Sequence, residues 1–165
     1  MSLTDLSSVL WRSRELLELL LFKLEEEQLI LTAGRSRWLA HATREVEVVL
    51  DQIRQTEVAR AAYSQEVADD LGLRPEATLG ELADAAAVPW PDLLRQHRAA
   101  FLTLTTEISG LAEANRDLAT AGQLAARQTM RAFAATVKDR DQTGVRRLTL
   151  VTGTPSPPSL IDYLQ

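Results

Sequence analysis

Two histidines are the only side chains of this sequence that titrate near neutral pH, and they limit the acid/base chemistry available to it. His41 and His97 fall on an apolar helical stripe or at its edge, where a packed or half-buried histidine is more common than a catalytic one. A carboxylate metal site in a helical bundle requires inward-facing Glu-x-x-His pairs. Trp38 and Leu94 stand three residues before the two histidines, so the sequence lacks such pairs.

The acidic run Glu25–Glu27 is the densest group of potential cation ligands. Consecutive helical residues point about 100° apart, so these three carboxylates cannot converge on one ion and a solvated face is expected. The sequence has no cysteine, which excludes a thiolate metal site and a cysteine nucleophile. It also has no glycine-rich phosphate loop. We therefore expect no enzymatic activity, no metal and no cofactor.

Charge and hydropathy narrow the partner classes. The 165 residues carry a net charge of −5 without a basic block, whereas nucleic-acid-binding proteins show a Lys/Arg face, so nucleic acid is not expected. The amino-terminal segment lacks the basic start and short apolar run of a secretory signal. The leucine-rich stretch Arg14–Leu31 could be a membrane anchor, a core stripe or a partner surface. Glu18 and Lys23 interrupt it, and a span needs about 20 mostly apolar residues, so no membrane insertion is expected.

The elements that position these residues are helices, because apolar side chains recur at alternating spacings of three and four. The three long stripes cover residues 3–32, 39–72 and about 91–137. Gly34 and Gly72 are expected to end the first two helices. Thr78 and Glu81 have the spacing of a capping box, which predicts a short helix through Ala87.

The fold class that follows is all-α. We expect an elongated antiparallel bundle of three long helices, with the short helix inserted in the second connection. The expected domain covers residues 1–138. A flexible tail over residues 139–165 is expected to follow, because this segment has no helical stripe and contains several glycines and prolines. Within it, Leu148–Val151 is β-prone.

Three polar residues stand out on this helical pattern. Arg60 falls on a core phase and is expected to pair with Glu57 or with a carboxylate of a neighbouring helix. Asn115 also falls on a core phase. A buried asparagine there can fix the register of two helices or hydrogen-bond to the backbone of a partner.

Two apolar surfaces exceed what the core requires. Leu19 and Phe22 point away from the stripe of the first helix, so that turn is apolar nearly all round. The tail or the short helix can cover it, and so can a partner. The second surface is a stripe near the end of the last helix, displaced from the main one, formed by Ala126, Met130, Phe133 and Val137. It could dock a foreign amphipathic helix or cap the end of the bundle.

The order of these features resembles the FlgN family of flagellar export chaperones, over about Leu3 to Ala135. Two segments carry the resemblance. Residues 16–60 contain the leucine-rich helix, the break and the second helix, and residues 71–122 contain Asn115 with Leu118 three residues later. It implies a cytoplasmic, non-catalytic bacterial chaperone. Such proteins bind the amphipathic C-terminal segments of the hook–filament junction proteins FlgK and FlgL, prevent their premature association and deliver them to the flagellar type III export gate.

The apolar surplus and the resemblance together predict the client-binding residues Leu118, Ala125, Met130, Phe133, Leu19 and Phe22. Val151 stands where members of the family carry a tyrosine associated with gate docking. The resemblance thus implies client binding, while an export-gate partner lacks its expected residue. The competing hypothesis is a coiled-coil scaffold or regulator that self-associates through the same apolar faces. A concentration-independent dimer would favour it, whereas a monomer or a weak homodimer would leave the apolar surface available to a client.

Overall fold

The computed structural model describes the backbone of residues 3–148 and the side chains of residues 3–138. Within that range the chain is all-α and forms four helices: α1 (Leu3–Thr32), α2 (Ser36–Asp70), α3 (Leu79–Ala85) and α4 (Trp90–Leu148). None of these helices is long and apolar enough to cross a membrane. By contacts the chain divides into two units, Met1–Thr120 and Ala121–Gln165.

Glycine ends the first two helices, as the sequence predicts. Gly34 and Gly72 have φ angles of 65° and 69°, in the left-handed region that glycine adopts without steric cost. The Arg35 N–H donates to the Ile30 carbonyl at 3.1 Å, and the Leu73 N–H donates to the Ala68 carbonyl at 2.8 Å. These bonds over five residues are typical of the Schellman motif, which satisfies carbonyls that the helix end leaves free.

In the first unit, α2 runs back along α1. Leu20 and Leu24 of α1 pack with Val49 of α2, whereas the earlier residues Leu6 and Leu10 belong to a cluster with Val67 and Ala68 near the end of α2. Early residues of one helix therefore meet late residues of the other. Each of these leucines is at most 5% exposed, so each contributes about 1.5–3 kcal/mol by leaving water.

The amino-terminal part of α4 packs on the same two helices. Leu94 belongs to the cluster that contains Leu6 and Leu10, while Ile108 and Leu111 pack against Leu20 and Leu24 further along α1. Later residues of α4 thus meet later residues of α1. This part of α4 consequently runs in the same direction as α1.

The short helix α3 begins with the predicted capping box. The Thr78 N–H donates to Glu81 Oε2 at 2.7 Å, and the Glu81 N–H donates to Thr78 Oγ1 at 3.3 Å. The hydrogen bond from the Thr78 backbone is the main reason why the pKa of Glu81 lies below its usual range. The helix ends at Ala85, earlier than the predicted Ala87. Leu82 of α3 is fully buried in the cluster with Leu6, so α3 covers the end of α1 that is remote from Phe22.

The end of the last helix was predicted wrongly. α4 continues to Leu148, past the expected end near Val137, and it runs through Gly144 as well as through Gly110 and Gly122, which the prediction already placed inside it. An interior glycine costs a helix only about 1 kcal/mol relative to alanine, and the neighbouring alanines, glutamines and arginines are strong helix formers. Leu148 of the expected β-prone run is therefore helical. Residues 149–165, including Val151, lie outside the described part of the chain, and the domain boundary near residue 138 stays a prediction.

Candidate functional site

His97 is a packed core residue, as the sequence predicts. Its side chain is 1% exposed. The ring meets Trp11 edge-on, with centroids 4.9 Å apart, and stacks near Phe101 at 6.2 Å. Burial, and secondarily the charge of Arg14, lowers the pKa of His97. Neither ring nitrogen has a hydrogen-bond partner among the described residues. His97 therefore packs in the core as an uncharged aromatic ring.

His41 differs from the expectation, because it is exposed on α2. It lines a shallow cavity at the turn between α1 and α2, together with Leu29 and Trp38. These two apolar residues are 70% and 49% exposed. The sequence reasoning missed this surface, because Leu29 and Trp38 lie off the stripes that were used to find the core.

The acidic run does not converge on one point. Glu26 pairs with Lys23 at 2.8 Å, whereas Glu27 accepts a hydrogen bond from Thr43 Oγ1 at 2.8 Å. Lys23 also pairs with Glu45 of α2 at 2.8 Å. These hydrogen bonds, first that to Glu26 and then that to Glu45, raise the pKa of Lys23. Part of the run therefore joins α1 to α2 and is not simply a solvated face. The described residues contain no group of three or more side chains that could hold a metal ion.

Arg60 and Glu57 form an ion pair within α2. The Arg60 guanidinium donates to Glu57 through Nη2 at 2.8 Å and through Nε at 2.9 and 3.0 Å. The sequence left two partners open for Arg60, and the structure shows Glu57 of the same helix. Both side chains line a mostly apolar cavity of about 280 Å³ with Leu17, Ile53 and Phe101.

Asn115 connects α4 to α1. Its side chain is 4% exposed, and its Nδ2 donates to the Leu24 carbonyl at 2.8 Å and to Glu27 Oε2 at 3.1 Å. A donor with two fixed acceptors on another helix sets the register of the pair. The described contacts therefore support the register role and leave the amide carbonyl of Asn115 without a partner among the described residues.

The apolar turn of α1 lies open in the first unit. Leu19 is 39% exposed and Phe22 is 54% exposed, and Lys23 Nζ lies 5.4 Å from the centre of the Phe22 ring. Leu118, the first-unit member of the expected site on α4, is 38% exposed. No described residue buries these side chains, so the short helix does not cover the turn.

In the second unit, every side chain from residue 121 to residue 138 is exposed. Ala125 is among them, and the larger apolar residues Met130, Phe133 and Val137 are 68%, 52% and 42% exposed. The expected displacement of this stripe is wrong, because successive spacings of three and four lead to it from the buried Asn115 without a break, through Ala119, Gly122, Ala126, Met130, Phe133 and Val137. The stripe is the continuation of the face that forms the core.

The turn between α1 and α2 lies beside the last residues of α4 that belong to the first unit. Leu31 and Leu39, on either side of the turn, line one small cavity with Ala119 of α4. The chain thus carries a core-like stripe on an all-helical scaffold without a described partner for it.

This combination is typical of helical proteins that bind other proteins through an apolar face. In agreement, the family model described as FlgN protein matches residues 1–143. The chain therefore belongs to the FlgN family, whose members are flagellar export chaperones. Comparisons with curated proteins and with solved structures gave no match.

Proposed function

We infer that this protein is an export chaperone for hook–filament junction proteins of the FlgK and FlgL type. It binds their amphipathic C-terminal segments, prevents premature association and delivers them to the flagellar export gate. The observation that carries this proposal is the exposure of every side chain over residues 121–138 on a helix whose core-phase stripe continues through them.

The physical support is that apolar residues at core spacing are exposed to water. Met130 and Phe133 repeat the spacing of the buried residues of α4, yet more than half of each side chain faces water. An apolar helix face gains about 25 cal/mol for each Å² that a partner covers. An amphipathic client helix supplies that cover and is itself shielded from self-association. The flexible thioether of methionine suits a surface that accepts more than one client.

The same proposal includes the architecture, the location and the client-binding residues of the protein. Over residues 3–120, α1, α2 and the first part of α4 form an antiparallel bundle. The protein works in the bacterial cytoplasm and is not an enzyme. Leu118, Ala125, Met130 and Phe133 form the client surface on α4, and Leu19 and Phe22 form a subsidiary one on α1.

Calorimetry with the purified full chain and the C-terminal segments of the junction proteins tests the proposal. We expect dissociation constants in the micromolar range or below. Phe133→Asp should weaken binding at least about tenfold, because it removes a ring that the client would bury and puts a charge into an apolar contact. Val58→Asp is the matched control, since Val58 is an apolar residue of α2 that is 73% exposed and lies outside the stripe.

Two results would contradict the chaperone function. One is the absence of binding by a chain with normal helicity. The other is a stable dimer in sedimentation experiments that Phe133→Asp dissociates, because the stripe would then serve a self-associating scaffold.

A further inference from the structure

The stripe of the second unit has basic residues along one edge. Residues 118–138 contain Arg127, Arg131 and Lys138 but no aspartate or glutamate, which gives this segment a charge of +3. The residues before it, 1–117, carry −8, and the residues after it, 139–165, carry 0, which together give the −5 of the whole chain. The positive charge is thus local to the exposed stripe.

The three basic residues share one side of the stripe. Each directly follows a stripe residue: Arg127 follows Ala126, Arg131 follows Met130, and Lys138 follows Val137. One step along a helix is a rotation of about 100° in a constant sense, so all three lie along the same edge. The residues directly before the stripe residues are all small and uncharged, namely Ala125, Thr129, Ala132 and Thr136.

Residues that flank the apolar stripes of paired helices decide partner choice by charge. We propose that this surface selects an amphipathic helix that carries acidic residues along one edge of its apolar face. The small residues of the opposite edge let that helix approach closely. The inference rests on the proposed function and adds the charge pattern of the client.

The same pattern disfavours a second copy of the chain as the occupant. If two copies of the stripe paired antiparallel, each basic edge would face its counterpart and the like charges would repel. In a parallel pair the basic edge would face the threonines and alanines, which offer no opposite charge. An acidic client edge is the arrangement that places opposite charges against Arg127, Arg131 and Lys138.

Two synthetic amphipathic peptides test the proposal against the full chain. Both have leucine at the core positions, and one has glutamate at every flanking position while the other has lysine. Like charges keep each peptide monomeric. The net charge of the protein alone would favour the lysine peptide. We expect instead that the glutamate peptide binds about tenfold more tightly at low salt, and that the difference shrinks as salt screens the contact.

The triple variant Arg127→Glu, Arg131→Glu, Lys138→Glu should reverse this preference. The matched control is Arg12→Glu, Arg44→Glu, Arg54→Glu, which changes the net charge equally at exposed positions of α1 and α2. It should retain the preference for the glutamate peptide. Equal affinities of the two peptides for the unmodified chain, or a preference that the control triple also reverses, would overturn the proposal.

The junction-protein segments separate this inference from the proposed function. If they bind through Phe133 but the charge-reversed triple variant binds them within twofold of the unmodified chain, the acidic-edge inference fails and the chaperone function stands. If they do not bind while the glutamate peptide does, the proposed function fails and the charge preference stands. If neither the peptides nor the junction-protein segments bind, both the acidic-edge inference and the proposed function fail.

Discussion

At the scale of single residues, His97 illustrates how burial decides what a titratable group does. Its ring packs between Trp11 and Phe101 and has no hydrogen-bond partner among the described residues. Protonation would place an unpaired charge in the core beside Arg14, so its pKa is lowered. In the unfolded chain the pKa returns to about 6.5. The unfolded state therefore binds the proton first as the pH falls.

This difference predicts a loss of stability in mild acid. The contribution of His97 is fully present above about pH 6.5 and is lost as the pH falls from there toward its lower folded pKa. His97→Leu should remove that loss, while its free energy of unfolding at pH 7.5 stays within about 1.5 kcal/mol of the unmodified chain. Urea unfolding at pH 7.5 and pH 5.0 measures both quantities.

The exposed His41 provides the control for this prediction. His41→Gln should leave in place the loss of stability that His97 causes between pH 7.5 and pH 5.0. The depressed pKa values of Glu45 and Glu81 contribute stability that is lost mainly below about pH 4.3, outside the window. A His97→Leu chain that still loses as much stability as the unmodified chain would contradict the assignment.

At the scale of elements, the ends of the helices depend on whether glycine stands in a left-handed or a helical position. Gly34 has a φ of 65° and ends α1, whereas Gly110 lies inside α4, where a built Cβ atom meets nothing within 4 Å. The apolar spacing already predicts this difference, because the first stripe stops before Gly34 whereas the last stripe continues past Gly110. The backbone adds the reason that glycine is required at position 34, and the open surroundings show that another residue is tolerated at position 110.

Alanine substitutions at the two glycines should change the stability of the chain in opposite directions. Gly34→Ala should destabilise the chain by about 1–2 kcal/mol, because an alanine Cβ is strained in the left-handed region. Gly110→Ala should stabilise it by about 0.4–1 kcal/mol, because alanine restricts the unfolded chain without a clash. Thermal unfolding followed by circular dichroism measures both shifts. A lower melting temperature for Gly110→Ala would show that residue 110 is not a regular interior position of α4.

At the scale of the whole molecule, different interactions stabilise α4 in the first and in the second unit. Residues of α4 such as Leu94, His97 and Asn115 are almost fully buried, whereas the side chains of residues 121–138 are all exposed. Most helical stability in proteins comes from packing of one face. The helix over residues 121–138 therefore depends on intrinsic helix propensity until a partner covers the stripe.

Hydrogen exchange should reveal this difference directly. Backbone amides of residues 121–138 should exchange faster than those of residues 94–115, because opening them exposes no buried side chain. Addition of a saturating junction-protein segment should slow exchange over residues 121–138, and Phe133→Asp should abolish the slowing. Equal protection of the two segments without a client would contradict the view that residues 121–138 gain no stability from packing of their apolar face.

The sequence by itself determined the helices of this protein and the family to which it belongs. Spacings of three and four, the glycines at 34 and 72 and the capping box at Thr78 act locally, so they can be read without knowledge of the fold. The extra length of α4 could not be read in the same way, because a helix of good helix formers tolerates interior glycine and needs no stripe to continue.

Only the tertiary structure decided which apolar residues are core and which are surface. Asn115, Met130 and Phe133 share one spacing pattern, yet Asn115 is buried against Leu24 while Met130 and Phe133 face water. The physical reason is that burial depends on which other elements meet a helix face: Asn115 meets α1, whereas no described residue buries the side chains of residues 121–138. A periodic pattern records which face of a helix is apolar but not where its partner stops.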